Sequence, residues 1–230
     1  MKQIGMIGGM SWESSLAYYR LLNEGIRTEL GGLHSARCIL YSLEFEEIEK
    51  LQHEGKWEEL TQLLTQAARD LKNSGADFGM ICTNTMHKTA DEIQQRSGLE
   101  LLHIADAAGA AIRQQGLLSV ALLGTKFTME QDFYRQRLAD RYGLRVLVPE
   151  EAEREEIHRM IYQELCQGIF RQSAKDYFRQ VIDKLAKQGA EGIVLGCTEI
   201  PLLVKAEDSS LPLFDTMELH ARAAVKKALE

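Results

Sequence analysis

Proline is scarce, three residues in 230, and no Pro-, Ser- or Gly-rich stretch reads as a flexible linker, so the whole length is expected to fold. A basic excess is also missing. The formal charge of −7 excludes general affinity for nucleic acid or an anionic membrane, and any attraction for an anionic ligand must be local. No apolar run approaches the roughly 20 residues needed to cross a bilayer. Met1-Lys2-Gln3 leads straight into a short strand-like run, so no signal peptide is read at the start. The four cysteines, Cys38, Cys82, Cys166 and Cys197, include no CxxC pair and no closely spaced Cys/His set. That spacing argues against a structural zinc site and for free thiols in a cytoplasmic protein.

What is present is ordinary globular material, 45% hydrophobic and 27% charged, with enough apolar residues for real cores. Short apolar runs alternate with longer helical patterns, the signature of a parallel sheet in an α/β fold. The expected strands are Ile4–Ile7, Ala36–Leu43, Phe78–Cys82, Leu101–Ile104, Ser119–Leu123, Leu144–Val148, Gly192–Leu195 and Leu211–Phe214. Helical patterns run over Trp12–Leu30, Trp57–Ser74, Thr128–Tyr142, Glu151–Gln167, Ala174–Gln188 and about Met217–Leu229.

An internal repeat organises these elements. Ile4-Gly5-Met6-Ile7-Gly8-Gly9 resembles Val120-Ala121-Leu122-Leu123-Gly124-Thr125. Gly79-Met80-Ile81-Cys82-Thr83 resembles Ile193-Val194-Leu195-Gly196-Cys197, and Leu102-His103-Ile104-Ala105-Asp106 resembles Pro212-Leu213-Phe214-Asp215. Gly8 and Gly124 are 116 residues apart, Thr83 and Cys197 114, Asp106 and Asp215 109. Three landmarks in the same order imply two copies of one α/β unit. The expected architecture is two similar domains, each a mostly parallel sheet flanked by helices, related by a pseudo-two-fold axis with the active site in the cleft between them. Residues 1–100 with 208–230 are assigned to the first domain and 101–207 to the second, although no sequence signal places the last helix.

Cys197 follows an apolar strand directly, in Gly196-Cys197-Thr198-Glu199, at the strand end where open α/β sheets hold ligands. Backbone N–H groups of the following turn are expected to lower its pKa and favour thiolate. The matching position in the first half is Thr83, within Cys82-Thr83-Asn84-Thr85-Met86-His87. That polar run suits both an anion-binding nest and a helix cap. Gly8-Gly9-Met10-Ser11 is a tight turn into a helix; its spacing fits neither a dinucleotide fingerprint nor a Walker A loop. His87, Cys38, Cys166, Asp106 and Asp215 read as structural. Gln52, Lys88 and Lys126 suit either a substrate carboxylate or a solvated surface.

As a set, Gly-Gly-Met-Ser-Trp-Glu-Ser at 8–14, Thr-Asn-Thr-Met-His at 83–87, Leu-Gly-Thr at 123–125 and Gly-Cys-Thr-Glu at 196–199 resemble the aspartate/glutamate racemase family across essentially the full chain. The resemblance implies pyridoxal-independent, cofactor-free racemisation of an acidic amino acid, with no metal, in a homodimer whose only other partner is the substrate. Family members use two cysteines on opposite faces of the α-carbon. Here the first-half triplet is Thr83-Asn84-Thr85 where the family pattern has Cys-Asn-Thr. The resemblance therefore implies Thr83 and Cys197 as the catalytic pair, with Cys197 as the base for the L-enantiomer. It further implies Met10, Gln52, Asn84, Thr85, Thr125, Thr198 and Glu199 as substrate contacts, Glu199 holding the ammonium. A one-cysteine decarboxylase or dicarboxylate isomerase of the same superfamily, and a non-catalytic binding protein for acidic amino acids, remain open readings of these residues.

Overall fold

The computed structural model describes residues 1–230 and divides the chain into two compact units, Met1–Ile104 with His220–Glu230, and Ala105–Leu219. The first unit contains β1 (Ile4–Gly8), α1 (Trp12–Leu30), β2 (Cys38–Ser42), α2 (Phe45–His53), α3 (Trp57–Asn73), β3 (Phe78–Ile81), a 3-10 turn (Thr85–Thr89), α4 (Ala90–Ser97) and β4 (Leu101–Leu102). Its sheet is parallel throughout, in the order β2-β1-β3-β4. The second unit contains α5 (Ile104–Gln114), β5 (Ser119–Gly124), α6 (Lys126–Glu130), α7 (Asp132–Tyr142), β6 (Arg145–Leu147), α8 (Glu151–Gln163), α9 (Gln172–Lys187), β7 (Gly192–Gly196), α10 (Ile200–Leu203) and β8 (Leu213–Asp215). Its order, β6-β5-β7-β8, is again all parallel. The chain ends in α11 (Thr216–Leu229), and the division between units falls inside this helix.

The two units repeat one plan for a physical reason legible in the residues. β1 and β3 are fully buried, as are β7 and all of β5 but its first residue, because helices cover both faces of a parallel sheet and central strands meet no water. The edge strands β2 and β6 are only partly buried. The helix before each third strand carries the matching apolar stripe. On α3 it is Leu60, Leu64, Ala67, Ala68 and Leu71; on α9 it is Phe178, Val181, Ile182 and Leu185. Both follow the helical period of 3.6, and the buried side chains form one core in each unit.

Several boundaries differ from the sequence reading. β4 pairs with β3 and β8 with β7, so residues 101–104 belong to the first unit and 208–219 to the second, the reverse of the expected assignment. Short edge strands are claimed by whichever neighbour completes their backbone hydrogen bonds, which composition does not reveal. Thr128–Tyr142 is two helices, because Gln131 is extended (ψ 148°) and interrupts the turn geometry. Glu151–Gln167 stops at Gln163: Glu164 leaves helical dihedrals (φ −127°), and a 3-10 turn over Leu165–Gln167 follows. The expected list omitted α2, which carries Gln52.

Candidate active site

Within the first unit the polar candidates gather at the carboxyl ends of β1 and β3. Gly9 turns the chain out of β1 with φ +85°, and a Cβ there would collide with the backbone of Leu43, so glycine is required. Ser11 then caps α1, its hydroxyl accepting from the Ser14 N–H at 3.3 Å. Met10 is buried and belongs to the first unit's apolar core, in one cluster with Ile48, Leu51 and Met86. From α2, the buried Gln52 donates its Nε2–H to the Met86 sulfur at 3.2 Å, bringing α2 against the turn that bears Thr83, Asn84 and Thr85. Asn84 and Thr85 are buried and Thr83 is half-buried.

His87 holds that turn from below. Its Nε2 accepts the Ile104 N–H at 3.2 Å, so Nδ1 carries the proton and donates to the Thr83 carbonyl at 2.7 Å. The ring contacts those of His103 and His220 edge-on, with centroids 4.6 and 5.6 Å apart. His220 in turn donates from Nε2 to the Leu102 carbonyl (2.8 Å) and accepts from the Tyr18 hydroxyl at Nδ1 (3.0 Å). Burial pushes its pKa down to about 4, against the opposing bond to Leu102, and it is neutral at physiological pH. The structural reading of His87 is met as a positioning contact; the sequence offered no signal for the Tyr18–His220 pair.

In the second unit, β5 and β7 lie side by side in register, Gly124 opposite Gly196. They approach so closely that a Cβ on Gly124 would stand 2.7 Å from the Gly196 carbonyl oxygen. This brings Thr125 next to the turn of Cys197, Thr198 and Glu199. Thr125 caps α6, its hydroxyl accepting from the Thr128 N–H at 3.3 Å. Cys197 is 6% exposed, and its thiol donates to Glu199 Oε2 at 3.1 Å; the Thr198 hydroxyl donates to the same oxygen at 2.6 Å. The expected lowering of the Cys197 pKa is reversed. Burial, and then the Glu199 carboxylate, raise the Cys197 pKa well above its ordinary value, overriding a lowering hydrogen bond from the Glu199 backbone.

Register makes Thr83 and Cys197 equivalent. Ile7 pairs with Ile81, and Leu123 with Leu195; each candidate then lies two residues beyond, after its unit's third strand. Cys82 corresponds to Gly196, is fully buried, and has its pKa raised chiefly by burial. Lys88, on the 3-10 turn, lies over the Trp57 ring at 3.7 Å, and Lys126, at the start of α6, pairs with Glu155. Lys126 does line a cavity of about 370 Å³ with Glu130, Arg135, Glu151 and Arg154. The Arg154 guanidinium is already bound to Glu130 at 2.9 Å. Asp215 caps α11 through the Met217 and Glu218 N–H groups (2.9 and 3.2 Å). Asp106 instead takes a bidentate pair from Arg137 (2.8 and 2.7 Å). No group of three or more His, Cys, Asp or Glu side chains is arranged to hold a metal ion.

The chain is 53% identical to a provisionally described Asp/Glu racemase from Yersinia pestis, over the whole of both chains, with TM-score 0.94. It is 37% identical, again end to end, to an aspartate racemase homologue from Pyrococcus horikoshii OT3, with TM-score 0.86. A broad-specificity amino-acid racemase from Bacillus subtilis is 23% identical over 172 residues, covering 75% of this chain and 74% of that protein. The model of the Asp/Glu/hydantoin racemase family matches residues 7–224, and the chain belongs to that family.

Proposed function

We propose that the protein racemises an acidic amino acid, aspartate or glutamate, without a cofactor, by moving the α-proton between two protein groups. Cys197 removes the α-proton of the L-enantiomer, and Thr83 returns a proton to the opposite face. The observation that carries this reading is the register equivalence of the two residues, each two positions beyond a matched strand pair in its own repeat. Inversion needs an acid and a base of separate origin, and a duplicated unit supplies two equivalent positions for them.

The α-proton of an amino acid is a very weak acid, and its removal leaves an enolate-like dianion. Preorganised donors stabilise that charge. On this reading they are the amide and hydroxyl groups of Asn84 and Thr85 from one turn and of Thr125 and Thr198 from the other, with Gln52 and the Met10 backbone at the substrate's periphery. Because a threonine hydroxyl is a far weaker acid than a thiol, the two directions have unequal rates, and the enzyme prefers L-substrates. The equilibrium ratio stays at one, so kcat/KM is the same for both enantiomers and the bias appears only in kcat and affinity taken separately.

The test is loss of the α-proton NMR signal of L-aspartate and L-glutamate in deuterated water with no cofactor added. Exchange is expected with the natural protein, and Cys197→Ser should reduce it at least about a thousandfold, from loss of an acid–base group. Absence of exchange with either amino acid, or full activity of Cys197→Ser, overturns the reading.

A further inference from the structure

The cavity of about 370 Å³ in the second unit is separate from the turns that bear Cys197 and Thr125, and it falls in the size range of small-ligand pockets. Its walls come from α6, α7, the start of α8 and Val148 just past β6. Cys197, Thr198 and Glu199 follow β7, which flanks β5 on the side opposite β6, and none of them lines the cavity.

The lining is charged in both senses. Lys126, Arg135 and Arg154 stand with the carboxylates of Glu130 and Glu151, and Met129 and Val148 add apolar surface. Several of these charges are already engaged. Arg154 donates to Glu130 at 2.9 Å and to the Pro149 carbonyl at 2.7 Å, and Lys126 pairs with Glu155. Arg135 is different. Its Nη2 reaches the Glu130 carbonyl at 3.2 Å and Asp132 at 3.3 Å, and Asp132 is 78% exposed, where an ion pair contributes little. The Arg135 Nε–H is buried and meets no acceptor in the protein. A buried donor left open is costly, and an arginine Nε–H is one arm of the fork by which a guanidinium takes a carboxylate. An acceptor is left over as well: Gln131 Oε1, next in the chain to Glu130, is buried and meets no donor.

We infer that this cavity is a second ligand site, for a free α-amino acid. The ligand carboxylate sits on Arg135, its ammonium on Glu151, and its side chain against Met129 and Val148. Glu151 takes the ammonium because Glu130 is held by Arg154. The mixed lining selects a zwitterion: a dianion is repelled by Glu151 and a simple amine by Arg135, whereas an amino acid is matched at both ends. The site does not depend on the racemase reading, since it uses none of the residues assigned to catalysis.

The methionine methyl groups, labelled with ¹³C and followed by NMR, test the site in the natural protein. Met129 lines the cavity, while Met86 lies on the 3-10 turn after Asn84 and reports on the proposed substrate site. The probes are racemic glutamate and racemic leucine, whose composition a racemase does not change. At least one is expected to shift the Met129 signal saturably below about 0.1 M. Arg135→Gln and Glu151→Gln are each expected to raise the midpoint at least about tenfold, through loss of a charge-assisted bond, and to leave any Met86 response at its natural midpoint. Glutarate, which lacks the ammonium, is expected to act on Met129 only at about tenfold higher concentration or more, by the same loss. A Met129 signal unmoved by both probes overturns the inference. So does a Met129 response whose midpoint is the same in Arg135→Gln, because it is then transmitted from elsewhere. Glutarate acting as well as glutamate overturns the amino-acid assignment. Should Arg135→Gln fold poorly, Glu151→Gln, on the exposed first turn of α8, decides alone. Loss of the Met86 response by itself counts against the racemase reading and leaves Met129 to decide the cavity.

Discussion

Replacing His220 by glutamine separates one buried titration from all others in the first unit. His220 is 0% exposed, between the Tyr18 hydroxyl and the Leu102 carbonyl. Its pKa falls from 6.5 to about 4 because burial disfavours the charged ring. Above pH 7.5 the ring is neutral whether the chain is folded or unfolded, so it contributes no pH dependence. As the pH falls through 6.5, the unfolded chain takes up a proton that the folded protein refuses, and stability declines until the folded pKa is passed. The gap corresponds to about 3 kcal/mol in total, of which about 2 kcal/mol is lost by pH 5. Glutamine keeps a donor for Leu102 but does not titrate. Both tryptophans, Trp12 and Trp57, lie in the first unit, so urea unfolding followed by their fluorescence reports on the right part of the chain. The stability advantage of the natural protein over His220→Gln is expected to shrink by about 2 kcal/mol between pH 7.5 and 5. A difference that stays constant to within about 0.5 kcal/mol would show that the folded protein accommodates the charged ring, and the burial argument would be wrong.

Two further outcomes are expected. Thr83→Cys places a stronger acid and base on the second face and should raise turnover of D-aspartate or D-glutamate at least about tenfold; unchanged D-enantiomer exchange would remove Thr83 from the mechanism. Asp106→Asn leaves the Arg137 guanidinium, only 13% exposed, without its bidentate carboxylate. Fully buried pairs cost about 3–5 kcal/mol to break in this way, and the partial exposure of Asp106 (22%) brings the expected loss to about 2 kcal/mol, measured by urea unfolding of the variant against the natural protein by circular dichroism. A loss below about 0.5 kcal/mol would class the pair with exposed ones.

The duplicated architecture was legible in the residues because its cause is local. Apolar runs closed by glycine, followed by polar turns, mark the central strands of each parallel sheet, and their spacing alone matched Thr83 to Cys197 before the strand registers gave the same equivalence. Chain order and hydrophobic period therefore determined the central strands and the polar turns that follow them. What lay outside the sequence was every property set by neighbours distant along the chain. β8 belongs to the second sheet because its backbone completes hydrogen bonds to β7. Asp106 and Asp215 look alike in sequence, yet only Asp106 meets arginines, Arg137 and Arg141, 31 and 35 residues away, while Asp215 caps a helix. The ionisation of Cys197 shows the division most clearly. Its position beyond a strand predicted stabilised thiolate, but burial and the Glu199 carboxylate reverse that expectation, because desolvation is a property of the packed core and not of the peptide that enters it.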